Sequence, residues 1–267
     1  MGYGEPFEFS TGIFAFGFVF QTLSFATSAF VAPLLLPGFF KRNRTTTSLK
    51  YQARAQIASI THSIFAMCVS LYMMYTMRHD DESVVYRGVN TVDEFAQNFA
   101  AGTFMGHLFS DAAYSIIFRS KMKDYKLFWP MLFHHSIFAF ALYLNTRGPE
   151  FYFLGGFSVL YLSEASSIPL AIRWLMIKYG NTKSLLFTIT NAIFVLSYFV
   201  LRVVLYGNYV FGILSHLDVA LHVLSPAAQI SALLQIAGFG LQLYWFVGIA
   251  QSVAGVFSGK RSAGKKK

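Results

Sequence analysis

The stretch "LFWPMLFHHSIFAFALYL", Leu127 to Leu144, decides how this chain is read. Wound as a helix at 1.5 Å per residue it is about 27 Å long, close to the ~30 Å of a bilayer's hydrocarbon core. It is almost wholly apolar and aromatic, yet it holds two adjacent histidines, His134 and His135. A helix that length among lipid tails has to satisfy such groups from neighbouring helices or around a wet cavity.

The rest of the chain has the same character. Of 267 residues, 55% are hydrophobic, 18% aromatic and 12% charged, against roughly 25% charged in an ordinary soluble domain. Similar apolar runs recur along nearly the whole length, so the fold class is an all-α, polytopic membrane helix bundle. The 21 Lys and Arg against 12 Asp and Glu give a formal charge of +9, but the basic residues sit in short patches between apolar runs. They read as topology signals and contacts with anionic headgroups, with no nucleic acid as a partner. The single cysteine, Cys68, excludes an intramolecular disulfide and speaks against a thiol-ligated metal. The N-terminus lacks the basic region of a signal peptide, and Pro6 stands where a myristoylation signal needs Ser or Thr.

Seven transmembrane helices are expected, over about 11 to 38, 52 to 77, 95 to 118, 127 to 144, 151 to 177, 184 to 206 and 229 to 257. The loops at 41 to 50, 119 to 126 and 178 to 183 and the tail from 258 are basic, whereas 78 to 94 and 146 to 150 are acidic or mixed. By the positive-inside rule the C-terminus is cytosolic and the N-terminus lumenal, which requires an odd number of spans. The stretch 208 to 224, with His216, Asp218 and His222, is expected as an interfacial helix, a re-entrant piece or a further span.

This topology gives each intramembrane polar residue a depth. Counted from the basic end, His134 and His135 lie about 10 to 12 Å in, Asp111 and Asn191 about 10 Å, His62 about 15 Å and Glu164 about 20 Å. Five helices thus offer polar groups to one half of the membrane, and a shared pocket is the economical explanation. His107 and Asp111 are four residues apart on one helical face, where the Asp can hold the His tautomer. Arg54 and His62 are eight apart, roughly one face again, with Arg54 near enough to the interface to snorkel toward phosphate. The adjacent histidines differ by about 100° around their helix, so one is expected to face the pocket and the other to bind a neighbouring helix or backbone. A lone membrane histidine often serves only as packing glue, and Arg54, Arg173 and Arg202 are alternative structural partners for the buried carboxylates.

Five segments together carry a resemblance. They are "YQARAQIASITHSIF" (51 to 65), "GHLFSDAAYSIIF" (106 to 118), "WPMLFHHSIFAFALYL" (129 to 144), "YLSEASSIPLAIRW" (161 to 174) and "GLQLYWFVGI" (240 to 249). Their order and spacing resemble the TLC-domain family, which contains ceramide synthases, translocating-chain-associating proteins, a ceroid-lipofuscinosis protein and small lipid-homeostasis proteins. The resemblance implies a six-helix core, with the first helix outside it. The corresponding division is 1 to 47 for the N-terminal region with the first helix, 48 to 257 for the TLC domain, and 258 to 267 for a basic tail.

In the synthase branch the resemblance implies a histidine pair, here His134 and His135, and downstream acids. Glu164 falls at the first acid, Ser167 at the second, and Leu170-Ala171 where that branch carries Leu-Glu. Those departures make the chain more similar to the small lipid-homeostasis members. The resulting expectation is an endomembrane protein, most naturally of the endoplasmic reticulum, that binds, senses or handles a lipid or acyl chain in a cytosol-facing cavity. Arg54, His62, His107, Asn191, Arg173 and Trp174 are its expected lipid- or acyl-binding residues. The enzyme alternative is a ceramide synthase-like N-acyltransferase with His134, His135, Asp111 and Glu164 as catalytic residues and acyl-CoA as co-substrate, with no other cofactor and no metal. A third alternative is an endoplasmic-reticulum cargo receptor, with protein cargo or a second copy of the chain as partner alongside membrane lipids. Receptor and retinal-protein readings fail on the sequence: the last helix has neither NPxxY nor a lysine for a Schiff base. Seven histidines with one adjacent pair also do not make the clustered boxes of a di-iron desaturase.

Overall fold

A computed structural model describes residues 11–42, 47–77, 94–121, 128–145, 154–215, 217 and 225–257. These residues are helical nearly throughout, and among them there is no strand. The helices are α1 (Thr11–Leu35), α2 (Pro37–Arg42), α3 (Thr47–Met77), α4 (Glu94–Ile117), α5 (Phe128–Asn145), α6 (Leu154–Ser163), α7 (Ser167–Tyr179), α8 (Leu185–Ser197), α9 (Tyr206–Ser215) and α10 (Pro226–Phe257). With the six-residue α2 set aside, and taking α6 with α7 and α8 with α9, the described residues make seven helical runs, consistent with an all-α membrane bundle. Four stretches are long and apolar enough to cross a bilayer unaided: Ala15–Leu35, Ser48–Tyr75, Leu185–Ser215 and Pro226–Ala254.

The exposed surface is what a lipid solvent demands. Phe30, Leu34, Leu185, Leu196, Phe211 and Tyr244 point outward, while Gln21, Ser63, Ser70, Ser231, Gln235 and Gln242 are buried. That inversion of a water-soluble pattern identifies an integral membrane protein.

Local chemistry sets the breaks. Pro37 opens α2, since a proline at a first helical position loses no hydrogen bond. Gly180, at φ 84°, closes α7, with its N–H on the Ile177 carbonyl and the Asn181 N–H on that of Met176. Ser184 caps α8 by accepting the Phe187 N–H at 3.1 Å.

Two of the expected helices are modified. The fifth, expected unbroken over 151 to 177, is split by a tight 3₁₀ turn at Glu164–Ser166. Pro169 has no N–H to return to the Ala165 carbonyl, and the Ser163 and Ser166 hydroxyls instead donate to the carbonyls of Leu160 and Ser163 at 2.6 and 2.8 Å. The sixth, expected to end at 206, winds through a π-helical stretch at Tyr198–Leu205 and continues as α9 to Ser215. The first part of 208 to 224 is therefore the end of this span and no separate element. His216, Asp218 and His222 lie outside the described residues, as do the loops 43–46, 78–93, 122–127 and 146–153 and the tail.

The first helix is clamped to the helix that will matter most below. A Cβ on Gly17 would collide with the backbone of Thr103, and one on Gly106 with the backbone of Gly17 and Phe18. Gly102 and Gly106 form the small-xxx-small spacing that lets membrane helices approach backbone to backbone. Ser110 then donates to the Phe18 carbonyl at 3.1 Å, tying α1 to α4 at the residue next to Asp111.

Candidate functional site: an intramembrane cavity

Six segments enclose a cavity of about 620 Å³, within the range of ordinary small-molecule sites. Each contributes one stripe at helical spacing. Gln52, Ala55, Gln56 and Ser59 come from α3; His107, Asp111 and Ser115 from α4; Trp245, Gly248, Ile249, Ser252 and Val253 from α10. Helices α5, α7 and α8 add His134 and His135, Arg173, and Asn191. The wall reaches the start of α3 and of α8 and the end of α4 and of α10, so the cavity extends to the end of the bundle that carries Lys50, Arg119, Lys121 and Lys183.

Deepest in it stands a row of buried imidazoles. His135 Nδ1 is 2.9 Å from Asp111 Oδ2, a cross-helix pair between α5 and α4. His134 lies beside it, edge-on to Trp245 and Phe138 with ring centroids 5.2 and 4.7 Å apart. The His134 Nδ1 is buried and has no hydrogen-bond partner among the described residues. Both adjacent histidines line the cavity, but only His135 is also held by a neighbouring helix. His107 does not take Asp111, although the two share a face of α4; its ring instead stacks on His62 of α3, centroids 3.3 Å apart and 5° from parallel. Asp111 is committed to His135 because α5 lies across that face.

Glu164 is met by Arg202, one of the structural partners expected for the buried carboxylates. Arg202, in the π-helical stretch, donates to Glu164 Oε1 at 3.2 Å, to Ser166 Oγ at 2.7 Å, to Ser167 Oγ at 2.9 Å and to Gln242 Oε1 at 3.3 Å. The 3₁₀ turn and the π stretch thus face each other across a buried ion pair, two irregular backbones joined at the cavity wall. Irregular helical turns of this kind recur at functional sites. Arg202 was legible as a lone charge in "YFVLRVVL", but its assignment only as a structural alternative missed its place on the wall.

Of the residues expected to hold a lipid, His107, Asn191 and Arg173 line the cavity. Arg54, His62 and Trp174 do not. Arg54 is two residues, about 200°, from Gln52 around α3, so it leaves the wall and lies over the Tyr51 ring at 5.4 Å. His62 sits behind His107, and Trp174 turns away from Arg173 by about 100° to meet the Lys178 ammonium at 5.8 Å. Trp245, which lies in the segment 240 to 249 that carries the resemblance but had no role assigned to it, reaches His134 from α10. Among the described residues no cluster of His, Cys, Asp and Glu has the geometry to hold a metal ion.

A multi-pass helix bundle with a polar-floored cavity inside the membrane is the class of protein that fold and site define. The model of the TLC domain matches residues 52–251, three quarters of the chain, and the protein belongs to the TLC-domain family. It is accordingly an integral membrane protein of a family concerned with lipid handling in general. Helices α1 and α2 precede the matched region. Compared with curated proteins, the chain has no match.

Proposed function

We propose that the cavity holds a lipid or acyl chain and that the protein acts in lipid homeostasis by binding, sensing or handling it. The observation that carries this reading is the cavity itself: about 620 Å³ within a membrane bundle, mostly apolar in its walls, with convergent polar groups from six segments. An empty apolar space of that size gains nothing for stability, whereas an amphiphile fills it and meets the polar floor with its head or its reactive carbon. The basic loops favour a cytosol-facing opening and a lumenal N-terminus, and the family membership favours the endoplasmic reticulum. A glycan attached at the Asn43 sequon would reverse that topology.

The test compares total lipid profiles of cells making, at matched levels, the intact protein, an Ala55→Trp variant and a His134→Ala, His135→Ala variant. Trp at 55 fills the cavity without touching a hydrogen bond. The reading expects a lipid shift from the intact protein that Ala55→Trp abolishes; equal profiles from the two would sink it.

A second reading, amide-forming acyl transfer, is favoured by one observation, the Asp111-held His135 beside the unpartnered His134 Nδ1. An imidazole there would take the proton of an attacking amine as its nitrogen bonds the thioester carbonyl and CoA leaves as the thiol. Purified protein given acyl-CoA and a sphingoid base should then release free CoA, and the double histidine variant should not. Without CoA release the protein is a binder or sensor.

A further inference from the structure

Resting on the reading that the cavity takes a lipid, we propose that Arg173 with Asn191 forms the headgroup subsite and that the ligand is an amphiphile with an anionic head, a carboxylate or a phosphate. The charges of the wall point to it. Its acids are Asp111 and Glu164, and each has its own partner, His135 at 2.9 Å and Arg202 at 3.2 Å. Among the described residues Arg173 has no carboxylate partner. Its Nε donates to Asn191 Oδ1 at 2.7 Å, a neutral acceptor, and its guanidinium carbon lies 5.7 Å from the centre of the Phe194 ring. Among the described residues nothing else meets it, so the four N–H of its terminal nitrogens are available to a ligand.

Its position supports the same conclusion. Arg173 is six residues, about 9 Å, from Tyr179 at the basic end of α7, in the outer third of a span about 30 Å thick and within reach of a head held near the interface. An arginine at that depth ordinarily snorkels out to water. Here the bond to Asn191 on α8 fixes its plane within the cavity wall, and a fixed planar fork is the geometry that grips a carboxylate or phosphate by two parallel bonds. Beyond it lie Leu170, Phe194 and Val195, apolar wall suited to a tail. The tail of a ligand so held runs along that wall.

The experiment uses the full-length protein, delipidated and placed in phosphatidylcholine nanodiscs. Direct binding is measured for three radiolabelled amphiphiles with the same sixteen-carbon chain: palmitate, palmitoyl-lysophosphatidate and uncharged palmitoylglycerol. At least one anion is expected to bind about tenfold or more tighter than the uncharged lipid, and which one separates the carboxylate from the phosphate. Arg173→Gln should erase the preference, Arg173→Lys should keep part of it, and Asn191→Ala should weaken it by freeing the fork. Equal binding of all three by the intact protein, or a preference that survives Arg173→Gln in a protein with unchanged thermal melting, overturns the headgroup inference and leaves the cavity reading standing. If none of the three binds, the cavity reading falls and the headgroup subsite with it.

Discussion

Two regions of the bundle treat buried polar groups in opposite ways. Where α9 and α10 meet α5, every turn is closed: Tyr206 donates to the Gln235 carbonyl at 2.7 Å, Tyr209 to the Gln235 side chain, Gln235 to Ser231 at 3.1 Å, and Ser231 to the Ala141 carbonyl at 3.0 Å. Gly238 in that region leaves room for nothing more, since a Cβ there would come 2.7 Å from Phe138 and 2.9 Å from the Tyr206 hydroxyl. Around the cavity, by contrast, His107 Nδ1 and His134 Nδ1 are buried with no partner among the described residues, and so is His62 Nε2 behind them. In the first region polar groups join helices, as they commonly do in lipid. In the second, several are left unsatisfied at the edge of open space, an arrangement that costs stability and persists where something else is gained.

That contrast predicts a ranked set of outcomes. The largest belongs to the seam between the regions. Arg202→Ala strips Glu164 of its cation and breaks bonds to two serines and Gln242, so we expect a loss of about 3–5 kcal/mol, read as a collapsed yield of folded protein and an early transition in an SDS titration. A variant that melts normally would mean the pair is only incidental. Next comes the packed region. Gly238→Val forces Phe138 and Tyr206 apart at an expected cost of about 1–3 kcal/mol, visible by thermal scanning in detergent; tolerance of it would show that this half is no tighter than the cavity.

Smaller still is Tyr206→Phe, which keeps the ring and deletes one satisfied hydrogen bond, for about 1 kcal/mol. The mirror experiment at the cavity is His134→Phe. It also keeps a ring but deletes a buried nitrogen that had no partner, so stability should change by less than about 0.5 kcal/mol while the lipid phenotype disappears. If His134→Phe destabilises as much as Tyr206→Phe, His134 is glue after all and the distinction between the regions fails. Measuring both in one SDS titration sharpens the comparison, because detergent and reference state cancel.

Much of the bundle was legible before any coordinates. Helix positions follow from the length of apolar runs, because hydrocarbon thickness sets the span and leaves helices as the natural answer. The expected ends at 77, 118 and 144 fall within a residue of Met77, Ile117 and Asn145. Irregular turns were illegible for a physical reason. The 3₁₀ turn at Glu164 and the π stretch around Arg202 depend on what each side chain meets across the bundle, and a run such as "YFVLRVVL" looks like plain helix until Glu164, Ser166 and Gln242 are placed around its arginine.

The site divides along the same line. Depth could be counted, so His134, His135, Asp111, Glu164 and Asn191 were expected in one half of the membrane, and the cavity does bring them together. Direction around the helix axis was harder, since Arg54 and Trp174 are at suitable depths but face elsewhere. What the sequence by itself determined was the solvent, the number of passes and the depth of each polar residue, because those depend on composition and on a rise of 1.5 Å per residue. Only the tertiary structure decided the partners: His135 for Asp111, Arg202 for Glu164, and Asn191 for an Arg173 left without an acid. Pairing depends on which faces of different helices are pressed together, and no local pattern along one helix carries that information.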